Sequence, residues 1–343
     1  MAVEVRPHPD DAGVMVRVVD EAGAWSMGEA VARPGFSGPA EALLAGARAL
    51  APALVGQGGG AAVGLAAGDD GAAAGERGPA EAVRAALRAA PPAVRFAFET
   101  ALADLDARRR GLALAAVWGA RAGAWVGRSA LVRTPAEAEV ALGTGHHVLK
   151  VKAHGPWPEE LERLGAIRAA APRCGLRIDC NGSLGGAGAR ALLPRLAALA
   201  PEYVEEPAHG LGVAGWAELA GLGAPLAVDE SAVEASAFEA HLGARAAAFV
   251  ILKPAFVGLL EALARGRRAL AAGRRVVVTS ALEGAIGAAA AAHVALALGV
   301  GEACGITLRR GAAAPGWLAA ERAVIAMPTS AGLGVESEGG AQG

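Results

Sequence analysis

Aromatic residues and cysteines are scarce in this chain of 343 residues. Phenylalanine, tryptophan and tyrosine make up 4% of the sequence, although hydrophobic residues make up 54%. That hydrophobic fraction excludes a mostly disordered chain and predicts a sizeable core, built from alanine, leucine and valine. The three cysteines, Cys174, Cys180 and Cys304, are too few for a disulfide framework, and none forms a CxxC pair. They are typical of a reducing compartment and do not indicate zinc.

The chain also lacks a surplus of charge of either sign. Its formal net charge is -2, with acidic and basic residues spread along the sequence. Nucleic-acid binding requires a basic field, so no nucleic-acid partner is expected. Two apolar runs, near 246–263 and 281–300, are interrupted by charged residues, which argues against a membrane span. The N-terminus has no apolar signal core, and a cytoplasmic protein without a membrane partner is expected. No pattern indicates an oligomeric state.

Residues 1–110 differ in pattern from the rest of the chain. Residues 14–19 predict a strand, and residues 39–54 predict a helix. A second helix is predicted from Pro91-Pro92 to about Arg109, since proline suits the first helical turn. Residues 56–80 are rich in glycine and alanine and predict a loose connection. This part of the chain therefore predicts a small α+β domain.

From about residue 129, short β-like runs recur about every 25 residues, with helical Ala/Leu-rich stretches between them. The runs are 130–133, 148–151, 176–180, 203–205, 226–228, 248–252, 275–279 and 302–307. That period corresponds to one βα unit, and eight such units indicate a closed parallel barrel. A doubly wound open sheet is the alternative α/β arrangement.

Charged and hydroxyl residues follow the ends of several runs. Lys150 and Lys152 end the second run, Lys253 ends the sixth, and Thr279 and Ser280 end the seventh. Side chains two apart on a strand share a face, so the first two lysines should both point into the barrel. In such barrels the carboxyl ends of the strands meet at the active-site mouth, where we expect these groups.

Three acids, Asp179, Glu205 and Asp229, end three consecutive runs. Mg²⁺ prefers carboxylate oxygens, so these acids predict a magnesium site, which Mn²⁺ could also fill. Lysines on both sides of the acids predict abstraction of a proton next to the carboxylate of a small-molecule substrate. Taken singly, each acid could be a helix N-cap and each lysine a solvated strand end. Their coincidence at successive strand ends carries the prediction.

These residues also form a series of motifs that is specific as a set. The motifs are K-V-K (150–152), D-C-N (179–181), V-E-E-P (204–207), V-D-E-S (228–231) and I-L-K-P (251–254). In this order and spacing they resemble the barrel of the enolase superfamily. The resemblance covers residues 129–310 well and residues 10–110 weakly.

The resemblance implies a domain organisation. It implies a modified (β/α)7β barrel over residues 111–319. An α+β capping domain would occupy residues 1–110, and the tail 320–343 would return to it.

Within the superfamily, two stretches near the end of the barrel resemble o-succinylbenzoate synthases. They are T-S-A-L-E-G-A-I-G (279–287) and A-C-G-I-T (303–307), and G-E-A-V-A-R-P-G-F-S (28–37) resembles the capping loop over their substrate. The implied reaction is the Mg²⁺-dependent syn dehydration of 2-succinyl-6-hydroxy-2,4-cyclohexadiene-1-carboxylate to 2-succinylbenzoate, in menaquinone biosynthesis.

The resemblance also implies a role for each site residue. Lys152 would take the α-proton and then help hydroxide leave, and Lys253 would stabilise the enediolate as a cation. Where many relatives carry serines, this chain has Gly284 and Ala285, so backbone N–H groups would hold the succinyl end. The residues implied to bind or support the substrate are Lys150, Arg177, Asn181, Glu230, Thr279, Ser280, Gly284, Phe36 and Ser37.

Alternative activities use the same residues. A racemase of N-succinylamino acids would use Lys152 and Lys253 as two bases, and a cycloisomerase is a further option. Dipeptide epimerases carry an acidic motif at the eighth strand, where this chain has Gly305-Ile306-Thr307, which argues against epimerisation. A barrel that binds a carboxylate without turnover is the non-enzymatic alternative. The complete set of acids and lysines counts against it.

Overall fold

A computed structural model of the chain describes residues 1–10, 12–33, 35–56 and 79–335. Most of the predicted connection at 56–80 and the end of the predicted tail lie outside the described residues. Within the described ranges, we find no helix that combines the length and the apolar composition needed to cross a membrane.

The first part of the chain forms a three-stranded antiparallel sheet with helices packed on one face. The strands are β1 (Ala2–Pro7), β2 (Gly13–Val19) and β3 (Trp25–Val31), which pair in that order. The helices are α1 (Ala40–Leu50), α2 (Pro79–Ala89) and α3 (Pro92–Arg109), with a 3-10 turn at Ala51–Ala53. Val14, Val16 and Val18 are fully buried because alternate residues of β2 face the helices.

The structure confirms the predicted strand β2 and the predicted helices α1 and α3, whereas β1 and β3 were not predicted. Strand β3 contains Gly28 and Glu29, residue types that are depleted in strands. Glycine is required there because a Cβ at Gly28 would lie 1.8 Å from the carbonyl oxygen of Ala97 on α3. Close packing of β3 on α3 therefore requires residue types that do not predict a strand.

Helix α3 contributes to two hydrophobic cores. Phe98 and Leu102 pack with the three-stranded sheet, whereas Phe96, Ala103 and Ala107 pack in the core of the following barrel. This shared helix connects the two halves of the molecule. The division of the chain near residue 110 accordingly stays a proposal.

The second part of the chain is a curled parallel sheet surrounded by helices. Its strands are β5 (Ala130–Leu131), β6 (Val148–Lys152), β7 (Gly175–Asp179), β8 (Tyr203–Glu205), β9 (Leu226–Val228), β10 (Phe249–Leu252) and β11 (Arg275–Val278), paired in sequence order. A separate antiparallel pair consists of β4 (Trp125–Gly127) and β12 (Val324–Ala326).

All but the first of the helices in this part follow strands of the parallel sheet. The helices are α4 (Leu114–Val117), α5 (Pro135–Gly143), α6 (Trp157–Ala170), α7 (Gly185–Ala197), α8 (Val213–Ala220), α9 (Ala235–Ala244), α10 (Pro254–Val257), α11 (Leu259–Ala271) and α12 (Ala285–Leu298), with 3-10 turns at Glu230–Ala232 and Gly316–Leu318. The alternation of strand and helix is the arrangement predicted from the sequence.

The sheet closes through two residues of the eighth predicted run. Cys304 bridges Arg128, just before β5, and Gly305 bridges Thr279, just after β11, both in parallel orientation. Among the described residues, these two bridges are the only strand pairing formed by the eighth run. The strand predicted over 302–307 was therefore too long. A Cβ at Gly305 would lie 2.8 Å from Cγ2 of Thr279, so glycine permits the close approach. Closure makes the fold a barrel and overturns the open-sheet alternative.

The interior of the barrel is filled by large side chains below the carboxyl ends of the strands. Tyr203, Phe249, Ile251 and Val277 pack there as a separate cluster. The guanidinium of Arg177 lies 5.0 Å from the ring centre of Tyr203. A filled interior leaves the carboxyl ends of the strands as the place for a cavity, as expected of such barrels.

The described part of the tail contacts both halves of the molecule. Strand β12 pairs with β4, and the backbone N–H of Leu333 donates to Oδ1 of Asp104 on α3 at 2.6 Å. The predicted return of residues 320–343 to the first domain stays a proposal, since the end of the tail lies outside the described residues.

A buried histidine joins α12 to its surroundings and predicts a pH effect on stability. Nδ1 of His293 accepts from the backbone N–H of Ala115 at 3.0 Å, and Nε2 lies 3.2 Å from the carbonyl oxygen of Leu333. Burial lowers the pKa of His293 to about 4. The neutral ring therefore contributes stability above pH 6.5 that is lost as the pH falls toward 4, up to about 3 kcal/mol.

The measurement is guanidinium unfolding of the wild type and of His293→Gln at pH 7 and pH 5. We expect the wild type to be more stable than the variant at pH 7 and to lose part of that advantage at pH 5. His147→Gln, at an exposed position, is the matched control and should show no such change. An advantage that is the same at both pH values would contradict the prediction.

Candidate active site

Three buried acids lie together at the carboxyl ends of adjacent strands. Asp179 ends β7, Glu205 ends β8, and Asp229 follows β9, with side chains that are at most 3% exposed. The strand register pairs Asp179 with Glu205 and Glu205 with Ala227, which lies two residues before Asp229. The parallel ladder thus brings the three predicted ligands together.

Two lysines of β6 contact these acids from one side. Nζ of Lys150 lies 2.7 Å from both carboxylate oxygens of Glu205 and 3.0 Å from Oδ2 of Asp179. Nζ of Lys152 lies 2.9 Å from the same Oδ2 and 2.7 Å from Oδ1 of Asn181. Both lysines point to the interior, as the alternation of strand side chains predicts.

A third lysine contacts the acids from the other side. Lys253, which follows β10, donates to Asp229, and its Nζ lies 3.5 Å from Oε1 of Glu230. Nδ2 of Asn181 donates to the same oxygen of Glu230 at 3.4 Å. Asn181 therefore links the Lys152 side of the site to the Lys253 side.

All three lysines of the chain lie in this cluster. Elsewhere in the chain, arginine and histidine are the basic residues. Lysine can release its proton when its surroundings favour it, whereas arginine stays charged in proteins. The confinement of lysine to this cluster indicates proton transfer there, independently of the sequence motifs.

The charges of the cluster determine its protonation. Burial disfavours the ionised form of Asp179, but the ammonium groups of Lys150 and Lys152 outweigh burial and hold its pKa below its usual range. Burial raises the pKa of Glu205, and the carboxylates of Asp179 and Asp229 add to that rise. Burial would lower the pKa of Lys150, but Glu205 and Asp179 raise it well above its usual value.

The acids fit a hard divalent cation in their chemistry. As placed, the described residues contain no group of three His, Cys, Asp or Glu side chains spaced to hold a metal ion. Nζ of Lys150 lies against both Asp179 and Glu205. Three buried carboxylates on adjacent strands nevertheless form the oxygen-only donor set that Mg²⁺ requires. Oδ2 of Asp179 is buried and forms no well-oriented hydrogen bond with the described residues.

A cavity of about 340 Å³ opens above this cluster. Of the residues predicted from the sequence, the cavity is lined by Lys150, Lys152, Asn181, Glu230, Lys253, Thr279, Ser280 and Phe36. Oγ1 of Thr279 is buried and has no hydrogen-bond partner among the described residues. The hydroxyl of Ser280 donates to the carbonyl oxygen of Thr307 at 2.6 Å. The hydroxyl of Thr279 is therefore a buried polar group beside the cavity without a partner among the described residues.

Three predicted support residues do not line the cavity. Arg177 lies deeper in the barrel, where its Nε donates to Oε2 of Glu202 at 2.7 Å. Ser37 holds its own loop, since its hydroxyl donates to the carbonyl oxygen of Val31 at 2.8 Å. Gly284 is the N-cap residue of α12 and packs against Glu29; a Cβ at Gly284 would lie 2.6 Å from Oε2 of Glu29. These three residues contact other parts of the protein, and their roles toward a ligand stay predictions.

Several residues that line the cavity were not predicted as site residues, among them a cation and an aromatic ring. Arg33 and Phe256 both face it, and the ring of Phe256 stacks on that of Phe36 with centroids 4.5 Å apart. Phe256 lies three residues after Lys253, and Arg33 lies within the capping-loop motif. Arg33 was within a recognised motif and Phe256 was just beyond one, but neither lies at the end of a predicted strand, where site residues were expected.

Glu206 was also missed, and it holds the segment that carries Asp229. Its buried carboxylate accepts the backbone N–H groups of Asp229 at 3.0 Å and of Ser231 at 3.2 Å. Its backbone φ of 39° lies in the left-handed region, which a non-glycine residue rarely adopts. The second glutamate of V-E-E-P therefore fixes the position of its neighbour.

Glu29, on β3 in the first part of the chain, contacts the first turn of α12. This residue is 2% exposed, and its Oε1 accepts the backbone N–H of Gly287 at 2.8 Å. Gly284 has no side chain to cap the helix, so a carboxylate from β3 satisfies a free N–H of the first turn. Burial and the neighbouring Glu29 raise the pKa of Glu283 to about 7.

Comparison with known proteins agrees with this architecture. A family described as Enolase C-terminal domain-like matches residues 133–340. Curated o-succinylbenzoate synthases of Mycobacterium bovis and Mycobacterium tuberculosis are 37% identical to this chain over 171 residues, which is 47% of this chain and 50% of theirs. The chain thus spans about half the length of the curated relatives it matches.

Two solved structures resemble the whole chain. The N-succinyl Arg/Lys racemase from Bacillus cereus superposes with a TM-score of 0.82 at 20% identity, covering 94% of this chain and 87% of that one. The L-Ala-D/L-Glu epimerase from Bacillus subtilis superposes with a TM-score of 0.75 at 25% identity, covering 94% and 90%. The matched family spans more than half of the chain and contains the strand-end acids and lysines, so the chain belongs to the enolase C-terminal domain-like family of the enolase superfamily.

Proposed function

We propose that this protein is an o-succinylbenzoate synthase, which dehydrates 2-succinyl-6-hydroxy-2,4-cyclohexadiene-1-carboxylate to 2-succinylbenzoate in menaquinone biosynthesis. The observation that carries the proposal is the placement of all three lysines around three buried acids on the floor of one cavity. The curated relatives at 37% identity are synthases of this name, which supports the choice of reaction.

The two sides of the site differ in a way that suits a dehydration. Lys152 is 43% exposed and borders the cavity, whereas Lys253 is 14% exposed and lies against Asp229 and Glu230. A lysine held between two carboxylates suits a permanent cation, and a lysine open to the cavity suits a base. Lys152 would accept the α-proton as a neutral amine and return it to the departing hydroxide, which leaves as water.

The remaining residues bind and stabilise. Lys253 would face the negative charge that develops on the substrate carboxylate, and Lys150 would orient that carboxylate. Asp179, Glu205 and Asp229 would hold Mg²⁺, with Mn²⁺ as a substitute. When bound, the metal supplies the positive charge that stabilises an enediolate.

The test is turnover of the diene substrate by the purified protein. We expect dehydration with Mg²⁺ present and its loss on addition of EDTA, because the buried acids cannot stabilise an enediolate without a cation. The measurement follows the appearance of 2-succinylbenzoate by chromatography. Absence of turnover in the metal-loaded wild type would overturn the synthase proposal.

A racemase of N-succinylamino acids is the second candidate. The similar structure from Bacillus cereus is named as such a racemase, although at 20% identity it supports the fold alone. Two lysines on opposite sides of the acids also suit a two-base racemase. Loss of optical rotation of an N-succinylamino acid, together with exchange of its α-proton in D₂O, would favour this candidate. A barrel that only binds carboxylates would show neither reaction.

A further inference from the structure

Arg33 differs from the other cations that line the cavity. Each lysine lies within 4 Å of at least one carboxylate oxygen. Arg33 forms no ion pair within that distance among the described residues, and the nearby Glu283 already accepts the backbone N–H of Ala281. Arg33 is thus a cavity-lining cation that no carboxylate of the described residues contacts directly, although its charge favours the ionised form of Glu283.

The guanidinium of Arg33 is held in a fixed orientation. Its Nε donates to the carbonyl oxygen of Ala281 at 2.7 Å, and its Nη2 donates to that of Leu282 at 2.7 Å. The backbone around it is fixed as well, since its N–H donates to Oγ of Ser37 at 2.7 Å. A guanidinium has five N–H donors, so three remain for a ligand. Little side-chain entropy remains to be lost when a ligand binds.

Arg33 lies on the wall of the cavity, and the lysines lie on its floor. It belongs to the loop after β3 that also carries Phe36, and both residues line the cavity with Lys150, Lys152 and Lys253. If one carboxylate of a ligand contacts the lysines, the opposite end of the ligand would contact the guanidinium of Arg33. Carboxylates pair well with the planar fork of arginine.

We propose that Arg33 binds the second carboxylate of a dicarboxylate ligand and thereby makes the cavity select dicarboxylates over monocarboxylates. The inference depends on the proposed function only in taking this cavity as the substrate site. Both candidate reactions use such ligands, since the succinyl group ends in a carboxylate in each. Removal of the guanidinium should weaken binding only where the ligand carries that second charge.

The experiment is calorimetric titration of the Mg²⁺-treated full chain with 2-succinylbenzoate and with 2-butyrylbenzoate, in which a methyl group replaces the terminal carboxylate. We expect the wild type to prefer 2-succinylbenzoate by about 10- to 100-fold, the range for a hydrogen bond to a charged group. Arg33→Gln should bind the two ligands about equally, and Arg33→Lys should retain part of the preference. Arg190→Gln, which removes an exposed arginine that does not line the cavity, should keep the preference.

Three outcomes would overturn the proposal: a wild type without preference, an Arg33→Gln variant that weakens both ligands by the same factor, and a wild type that binds no ligand. The second would show that Arg33 only holds the loop at 281–282. The same titration with N-succinylphenylalanine and N-butyrylphenylalanine separates this inference from the proposed function. Arg33-dependent preference in that pair, without turnover of the diene, would refute the synthase and retain the role of Arg33.

Discussion

Replacing Lys152 with alanine is expected to lower kcat for dehydration by about 10²- to 10⁴-fold, the contribution typical of a positioned general base. The alanine variant keeps the acid cluster, because Asp179 still contacts Lys150 at 3.0 Å. Binding of 2-succinylbenzoate should therefore change much less than kcat. Steady-state kinetics with the diene substrate, together with calorimetric binding of the product, measures both quantities.

Lys152→Arg separates the charge of the residue from its proton transfer. Arginine preserves the positive charge but does not release its proton in proteins, so kcat should be as low as in the alanine variant. Arg190 lies on α7 and forms an exposed ion pair with Glu218 of α8, so Arg190→Ala should leave kcat unchanged. An arginine variant with nearly normal kcat would show that Lys152 acts only as a cation and would refute its role as the base.

The second large effect is expected for Mg²⁺ binding on substitution of Glu205 by glutamine. The substitution removes the negative charge of the central acid and preserves its size, so Mg²⁺ affinity should fall by about 100-fold or more. Loss of a residue that only supports a metal ligand already costs 10- to 100-fold. The shift of the melting temperature with Mg²⁺ concentration measures this affinity without reference to activity.

Glu202→Gln is the matched control for the Mg²⁺ measurement. Glu202 precedes β8 and binds Arg177 below the site, so its substitution should alter stability without altering the Mg²⁺ dependence. Equal Mg²⁺ affinity in the wild type and Glu205→Gln would place the metal elsewhere.

The sequence predicted the barrel and the floor of its cavity for a simple physical reason. Acids and lysines at the ends of parallel strands must meet, because the ladder aligns neighbouring strand ends. Asp179 and Glu205 are direct register partners, so little depends on the rest of the fold. Lys150 and Lys152 likewise followed from alternation along β6 alone.

The sequence could not predict how far a side chain lies below the carboxyl ends of the strands, or which side chain it contacts there. Arg177 shares a face with Asp179 because the two are two residues apart, but it lies lower in the barrel, against Glu202. Alternation assigns a face and gives no height along the strand. Gly284 was expected to offer its backbone to a ligand, yet Glu29, far away in sequence, packs against it. Such contacts depend on how segments that lie far apart in the sequence pack together.

The confinement of lysine to the cavity has a practical consequence for chemical labelling. Apart from the amino terminus, the primary amines of this protein are those of Lys150, Lys152 and Lys253. Lys150 and Lys253 are each 14% exposed, so Lys152 is the accessible amine of the three. An amine-directed reagent or an acetylating enzyme would find few reactive amines on this protein besides Lys152. Modification of a single amine could therefore report directly on whether a ligand occupies the cavity.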